Sequence, residues 1–229
     1  MAEKVTEAEL PESLVKAQGF WQKNRKTIII AAVAVIAIVG GWYYYQSNIV
    51  KPKEDAAADA IFKAQQYFAR DSFNLALNGD GKSKGFLYIM SNYSGTKQAN
   101  LSKYYAGVCY LKTGNFNKAV EYLNDFSTDA KQIQMMAYGC LGDAYSELGK
   151  KDDAVASYKK AAASFEDDDV NAPEYLFRAA LLSETMGKNA DAIELYKQLR
   201  DKYPNSERGY QADKYIYRLS IEPNDFSTK

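Results

Sequence analysis

The sequence predicts an all-α protein in which one N-terminal transmembrane helix precedes an α-solenoid of repeated helical hairpins. Residues 27–50 contain no charged side chain, and residues 28–45 are almost wholly apolar. At about 1.5 Å per residue, a helix of this length covers the hydrocarbon core of a bilayer, which is roughly 30 Å thick. Residues 135–165 then show a helix-turn-helix pattern with Gly149 at the turn, and this pattern recurs on both sides.

The central hairpin has small and aromatic residues at fixed positions on its two helices, namely Leu141, Gly142, Tyr145, Ala154, Tyr158 and Ala161. This spacing resembles the tetratricopeptide repeat, a helical hairpin of about 34 residues. The turn glycine recurs 35 residues upstream at Gly114 and 38 residues downstream at Gly187, and Pro204 ends the last copy. We therefore predict a degenerate repeat at 63–99, repeats at 100–134, 135–170 and 173–206, and a capping helix at 206–220.

The charged residues around the apolar run predict the topology. Four basic residues precede it closely (Lys16, Lys23, Arg25 and Lys26), whereas only Lys51 and Lys53 follow. The positive-inside rule then assigns residues 1–26 to a cytoplasmic tail, 27–46 to the transmembrane helix, 47–55 to a linker and 56–229 to a domain on the far side. Within the tail, residues 12–22 form either an amphipathic helix at the membrane surface or a flexible segment.

Aromatic residues flank the apolar run as they do at membrane interfaces, and we predict interface anchors at Trp21, Trp42, Tyr43, Tyr44 and Tyr45. A cleaved signal peptide is the alternative, because small residues such as Ala37 and Gly40 occur late in the run. The run is longer than a typical signal-peptide core and continues through bulky aromatics, which favours retention as an anchor in contact with membrane lipid.

The composition argues against most enzyme classes and against nucleic acid as a partner. The 29 basic residues balance the 29 acidic ones, so no net charge attracts a polyanion. The chain contains no histidine, which removes histidine bases, Ser-His and Cys-His nucleophiles and histidine-containing metal sites. We expect no catalytic residues, no metal and no cofactor. An enzyme using only carboxylates remains as an alternative, although no pattern places two acids in an enclosed pocket.

Two further features have competing interpretations. Cys109 and Cys140 lie on the first helices of adjacent repeats and are predicted to be buried free thiols, with a disulfide as the alternative in an exported domain. The acidic run at 166–169 lacks the alternating spacing of a calcium loop. It is predicted to be a solvated loop at the start of a helix.

Recognition by the concave face of the array is the function that remains. Repeat positions 4, 7, 8 and 11 of each first helix face the second helix, so positions 2, 5, 9 and 12 face a groove. The apolar residues at these positions predict a binding site for an extended or helical polypeptide: Leu101, Tyr104, Val108, Leu111, Met136, Phe177 and Leu181. The alternative is that this stripe packs against the protein's own helices or its capping helix.

Residues 14–26 (LVKAQGFWQKNRK), the anchor exit GGWYYY at 40–45, the following alanine-rich helix and the repeats together resemble the ancillary subunit of the SecYEG translocon. This resemblance implies a single-pass protein of the bacterial inner membrane with its repeats in the periplasm. Its implied partners are the translocon, a membrane-anchored periplasmic chaperone or prolyl isomerase, and exported polypeptides. A periplasmic scaffold for cell division or envelope assembly is the other interpretation of the same architecture.

Overall fold

The computed structural model describes residues 12–221, and over this range the chain forms eleven α-helices and one π-helical turn. The chain divides into two compact units, Met1–Pro52 and Lys53–Lys229. An all-α chain with an apolar N-terminal helix and a helical-repeat array was predicted, and the structure confirms this fold class. The expectations for residues 1–11 and 222–229 lie outside the described residues.

The N-terminal unit is built on helix α1, Glu12–Tyr45. Among the described residues, one helix is long and apolar enough to cross a membrane, and none of its most apolar 18-residue stretch is buried. Residues 12–22 belong to this same helix. The predicted linker at 47–55 is also helical, since a π-helical turn at Gln46–Val50 leads into α2, Lys51–Phe68. The wider turn immediately precedes Pro52, whose ring clashes with the carbonyl four residues earlier in a regular α-helix.

The first repeat is degenerate because its second helix is broken. Helix α2 is its first helix, and two short helices follow, α3 at Phe73–Asn78 and α4 at Phe86–Asn92. The glycine-rich segment between them is a closed loop. Gly79 pairs with Lys84 in an isolated bridge, and the Asp80 carboxylate accepts hydrogen bonds from the amide of Ser83 (2.5 Å) and the hydroxyl of Tyr67 (2.7 Å). These bonds lower the pKa of Asp80 to about 2.

Three complete hairpins and a final single helix follow. Their helices are α5 (Lys97–Lys112), α6 (Phe116–Asn124), α7 (Lys131–Glu147), α8 (Lys151–Ser164), α9 (Asn171–Thr185), α10 (Asn189–Lys202) and α11 (Glu207–Ser220). The first helices begin two to four residues before the predicted repeat boundaries at 100, 135 and 173. For α5 the reason is local, because the Thr96 hydroxyl accepts a hydrogen bond from the Ala99 amide and caps the helix at that point.

Each hairpin closes through the same helix-ending motif. In the central hairpin, Gly149 has a φ of 71°, the Lys150 amide donates to the Tyr145 carbonyl (2.9 Å) and the Gly149 amide donates to the Ser146 carbonyl (3.0 Å). This is a Schellman motif, which requires a left-handed residue that glycine adopts without strain. Gly114 and Gly187 hold the equivalent positions with the same pair of bonds. The recurring glycine thus fixes where each hairpin turns.

Close helix crossings build the core of the array. A Cβ placed on Gly142 would lie 2.6 Å from the ring of Tyr158, and one on Gly107 would lie 2.5 Å from Leu123, so both crossings require glycine. Two buried clusters result, one extending from α2 to α7 and the other from α8 to α11, and Tyr145 packs against both of them. The packing of each hairpin against the next therefore continues along the array.

We predict that Gly142→Leu and Ala154→Leu each lower the free energy of unfolding by about 1–3 kcal/mol or more, because both insert atoms into a filled helix crossing. Ala154 is fully buried, whereas Ala156, two residues away on the same helix, is exposed. Ala156→Leu is therefore the matched control, expected to change stability by less than about 0.5 kcal/mol. Thermal or urea unfolding of the three variants measures the difference. Equal stability of all three would show that this crossing is not tightly packed.

Candidate protein-binding surface

The first helices of successive repeats lie side by side and form one continuous face, which we call the row of first helices (α5, α7, α9 and α11). Gly139 of α7 lies directly against the ring of Tyr175 in α9, and a side chain at Gly139 would overlap that ring. Burial, with smaller contributions from the neighbouring Cys140 and Tyr175, raises the pKa of Tyr104 in α5 above its ordinary value. Helix α5 also contacts α7, and α9 contacts α11, so residues of successive repeats meet on this face.

The seven predicted groove residues do not form one exposed stripe. Tyr104, Val108 and Phe177 are buried, with 8%, 7% and 6% of their surface exposed, so the expectation that they are accessible is wrong. Leu101 and Leu111 are partly buried against the hydrophobic cluster that extends from α2 to α7. Only Met136 and Leu181, exposed by 42% and 39%, present large apolar surface to solvent.

Tyr104 is buried by the next residue on its own helix and by the segment after α6, whereas Phe177 is buried by a neighbouring helix. The Tyr104 ring packs against Tyr105 and Phe126, at centroid distances of 5.4 and 5.6 Å. Phe177 is covered by α11, whose Tyr215 ring lies 5.3 Å away and whose Arg208 guanidinium lies 4.2 Å above the Phe177 ring. Tyr104 and Phe177 therefore pack against the protein's own chain, and for Phe177 the packing partner is the capping helix. This is the alternative to an open groove that the sequence left possible.

Charged residues occupy much of the remaining surface of the row. Asp143 of α7 accepts hydrogen bonds from the Tyr158 hydroxyl (2.7 Å) and from Arg178 of α9 (3.0 Å). Glu184 of α9 is held in the same way, by the Tyr196 hydroxyl (3.2 Å) and by Arg218 of α11 (2.5 Å). Each group thus joins an acid of one first helix to a tyrosine of its own hairpin and to an arginine of the next first helix. We call these groups the acid–tyrosine–arginine clusters.

Glu174 extends the first cluster along the row. One of its carboxylate oxygens accepts from Arg178 (3.1 Å) and the other accepts from Arg208 of α11 (2.8 Å). Burial alone would lower the pKa of Arg178, but the hydrogen bond to Glu174 and the charge of Asp143 outweigh it and raise the pKa. Arg178 therefore stays charged at every physiological pH.

These ion-paired groups link neighbouring helices, and their side chains are also accessible to solvent. The side chains of Asp143, Arg178, Glu174 and Arg208 are exposed by 33–42%. Solvent-accessible pairs of this kind contribute little to stability and can exchange partners. Three acids and three arginines balance over the two clusters and Glu174, so the face has no excess charge for capturing an acidic tail. The arrangement suits a polypeptide that offers both charges or polar main-chain groups.

The spacing of acids and arginines in the sequence indicates these clusters. Glu174 and Arg208 are 34 residues apart, as are Glu184 and Arg218, while Asp143 and Arg178 are 35 apart. Each spacing equals one repeat, so acid and arginine meet at equivalent heights on adjacent first helices. Asp143, Glu174 and Glu184 fall at groove positions 9, 2 and 12 of their repeats, but the sequence did not predict their arginine partners.

The remaining candidate residues have structural roles. Cys109 is buried and Cys140 partly exposed, and both are free thiols, as predicted. Burial raises the pKa of each to about 12, so neither is a reactive thiolate near neutral pH. In the acidic run, Asp168 accepts a hydrogen bond from the Asn171 amide at the start of α9 (2.8 Å), which confirms the predicted helix-start loop. Among residues 12–221, no cluster of acids or cysteines has the arrangement of a metal site.

We predict that Phe177→Ala lowers the free energy of unfolding by about 3–5 kcal/mol, because it leaves a cavity between α9, α10 and α11. Leu181→Ala, one turn further along α9, is the control and should cost less than about 1 kcal/mol because Leu181 is exposed. Urea unfolding of the full chain in detergent measures both variants. A small, equal effect would mean that α11 does not cover Phe177.

The comparisons agree with this architecture. A family model described as a tetratricopeptide repeat-like domain matches residues 18–141, and one described as a tetratricopeptide repeat matches residues 141–207. No curated protein and no solved structure gives a significant match. The first family model covers more than half of the 229 residues and includes most of the apolar helix. The chain therefore belongs to the tetratricopeptide repeat-like family, whose repeats act as protein–protein interaction modules.

Proposed function

We propose that the chain is a membrane-anchored interaction module that associates with the SecYEG translocon and helps pass exported polypeptides to periplasmic chaperones. The exposure of the apolar helix is the observation that supports a membrane anchor. Ile30, Ile36 and Ile38 are exposed by 69–71%, and none of the most apolar stretch is buried by the protein. Side chains of this kind require a surrounding that is itself apolar, which a bilayer supplies.

Aromatic residues at both ends of this stretch support the same assignment. Trp21 is exposed by 51%, and Trp42, Tyr43, Tyr44 and Tyr45 by 51–70%. Rings with a polar edge are stable at the lipid–water interface, so these five residues anchor the helix at its two ends. The basic residues before Thr27 hold the N-terminus in the cytoplasm, and the repeat domain lies in the periplasm of a bacterial inner membrane.

The row of first helices supplies the binding surface. Met136 and Leu181 provide accessible apolar contacts, and Asp143, Arg178 and Glu174 provide polar ones. Exported polypeptides present both kinds of group while they are unfolded, because their apolar side chains and main-chain amides are not yet paired. Flexible methionine contacts and exchangeable ion pairs suit varied clients better than one rigid motif.

The assignment to the translocon rests on the resemblance of residues 14–26 and 40–45 to its ancillary subunit, and on the family match that takes in the apolar helix and the first repeats together. The partners that follow are SecYEG and a membrane-anchored periplasmic chaperone or prolyl isomerase. A scaffold for cell division or envelope assembly would use the same anchor and repeats but would hold one fixed partner.

The topology is tested with protease added to spheroplasts. We expect digestion of the repeat domain beyond Lys51 and protection of an epitope placed before Lys16, because the basic flank keeps that end in the cytoplasm. A cytoplasmic protein followed in the same samples controls for lysis. Protection of the repeats in intact spheroplasts, with digestion only after lysis, would contradict the periplasmic location.

The binding surface is tested by site-directed photocrosslinking in intact membranes. A photoreactive residue at Leu181 should crosslink to translocon subunits, to a chaperone or to a mixture of exported polypeptides. The same residue at Ala156 is the control, because Ala156 is exposed but lies on the second helix of its hairpin. A single crosslinked partner that belongs to cell division or envelope assembly would favour the scaffold instead. Equal crosslinking from both positions would remove the row of first helices as the binding surface.

A further inference from the structure

The last described helix, α11, carries an exposed stripe of aromatic and charged residues. Tyr210 and Tyr217 are exposed by 87% and 71%, the largest values for tyrosines in the described part of the repeat domain. Seven residues separate them, so they lie on one side of the helix, with Asp213 and Lys214 between them. All four side chains are exposed, while Gly209 and Ala212 on the opposite side are buried against the array.

The repeat register explains why this stripe is exposed. Pro204 ends the preceding repeat, so α11 is the first helix of a further repeat that begins at Glu207. Tyr210, Asp213, Lys214 and Tyr217 then occupy positions 4, 7, 8 and 11, which in the other repeats face the second helix of the hairpin. The equivalent residues Leu176 and Ser183 in α9 are buried. Within residues 12–221, no second helix follows α11 to cover the stripe.

The order of residues in the stripe makes it complementary to itself. Reversing the helix about the midpoint between Asp213 and Lys214 exchanges Tyr210 with Tyr217 and Asp213 with Lys214. In an antiparallel pair of α11 helices, each tyrosine therefore faces a tyrosine and each acid faces a lysine. In a parallel pair, Asp213 would face Asp213 and Lys214 would face Lys214, which like-charge repulsion disfavours.

We propose that the exposed stripe of α11 is the interface with a second copy of this chain, which docks its own α11 antiparallel across a two-fold axis. The interface is isologous, because the same four residues contribute from both copies. The two tyrosine pairs remove apolar ring surface from water, and the two Asp213–Lys214 pairs fix the direction and register. The helix that completes the last hairpin is thereby supplied by the second copy.

The charges of the stripe are available for this pairing. Lys214 has no ion-pair partner within the described chain. One oxygen of Asp213 accepts from Arg200 of α10 at 3.2 Å, and the carboxylate remains 74% exposed, so its other oxygen is free to accept from a lysine of the second copy. One helix per copy gives a small interface, below about 1,200 Å² in total. Confinement of both copies to one membrane raises their effective concentration and compensates for the small area.

A charge-swap experiment on the full-length chain tests this interface. Asp213→Lys and Lys214→Asp each place like charges opposite one another and should raise the dissociation constant of the dimer about tenfold or more. The double variant D213K/K214D restores opposite charges and should restore dimerisation. Sedimentation of the detergent-solubilised chain over a range of concentrations measures all four proteins.

The control variant is Asp201→Lys. Asp201 also binds Arg200 (2.8 Å) and is exposed, but it lies on α10 outside the stripe. It matches the charge change of Asp213→Lys and should leave the dimer unchanged. Tyr210→Ser should weaken the dimer but leave the melting temperature of the dilute, monomeric chain unchanged, since the ring touches little of its own chain.

Four results would overturn the proposal. The wild-type chain could be monomeric at all concentrations, or its dimer could be unaffected by the single swaps, which would place the contact elsewhere, for example on the apolar helix. The double variant could fail to restore the dimer. Finally, a clear loss of melting temperature in Tyr210→Ser, measured on both proteins diluted to the monomeric state, would show that the stripe is covered by residues of the same chain.

Discussion

The close crossing of the two helices in each hairpin is the constraint on which the repeat domain depends. At Gly142 the missing side chain lets the ring of Tyr158 lie against the backbone of α7, and Gly107 admits Leu123 in the same way. This approach also brings the Tyr158 hydroxyl within 2.7 Å of Asp143. A packing requirement and a polar cluster on the row of first helices are therefore parts of one geometry.

The first helices contribute residues both to the core of the array and to its surface. Contact between α9 and α11 buries Phe177, and Phe126 packs against Tyr104 of α5, while Met136 and Leu181 of the first helices remain accessible. The acid–tyrosine–arginine clusters tie neighbouring hairpins together by the same spacing of one repeat. Because each cluster includes groups from two repeats, the clusters form only when the hairpins are stacked. This is the expected behaviour of a repeat protein, in which each unit contacts only its neighbours.

The two ends of the repeat array differ in how they meet their surroundings. At the beginning, the second helix of the first repeat is split into α3 and α4, and the loop between them is held by Asp80. At the other end, α11 is a first helix with an exposed side. Tyr210 and Tyr217 on that side hold positions that, in the other repeats, face the second helix of the hairpin. Terminal repeats are expected to be polar on their outer side. The pair Asp213 and Lys214 meets that expectation, whereas Tyr210 and Tyr217 depart from it.

The sequence by itself determined the apolar helix, the phase of three hairpins and their turns, because these follow from local periodicity and from glycine at a left-handed position. Because Asp143, Glu174 and Glu184 fall at repeat positions 9, 2 and 12, periodicity also places them on the face predicted to be a groove. Tertiary structure alone decided which groove residues are exposed, since Tyr104 is buried by Phe126 and Phe177 by α11. It likewise decided which arginine meets which acid and how the glycine-rich loop closes. Phe126 lies 22 residues after Tyr104, and the acids and arginines that pair between first helices are 34 or 35 residues apart. Periodicity within one helix carries no information about contacts at such separations.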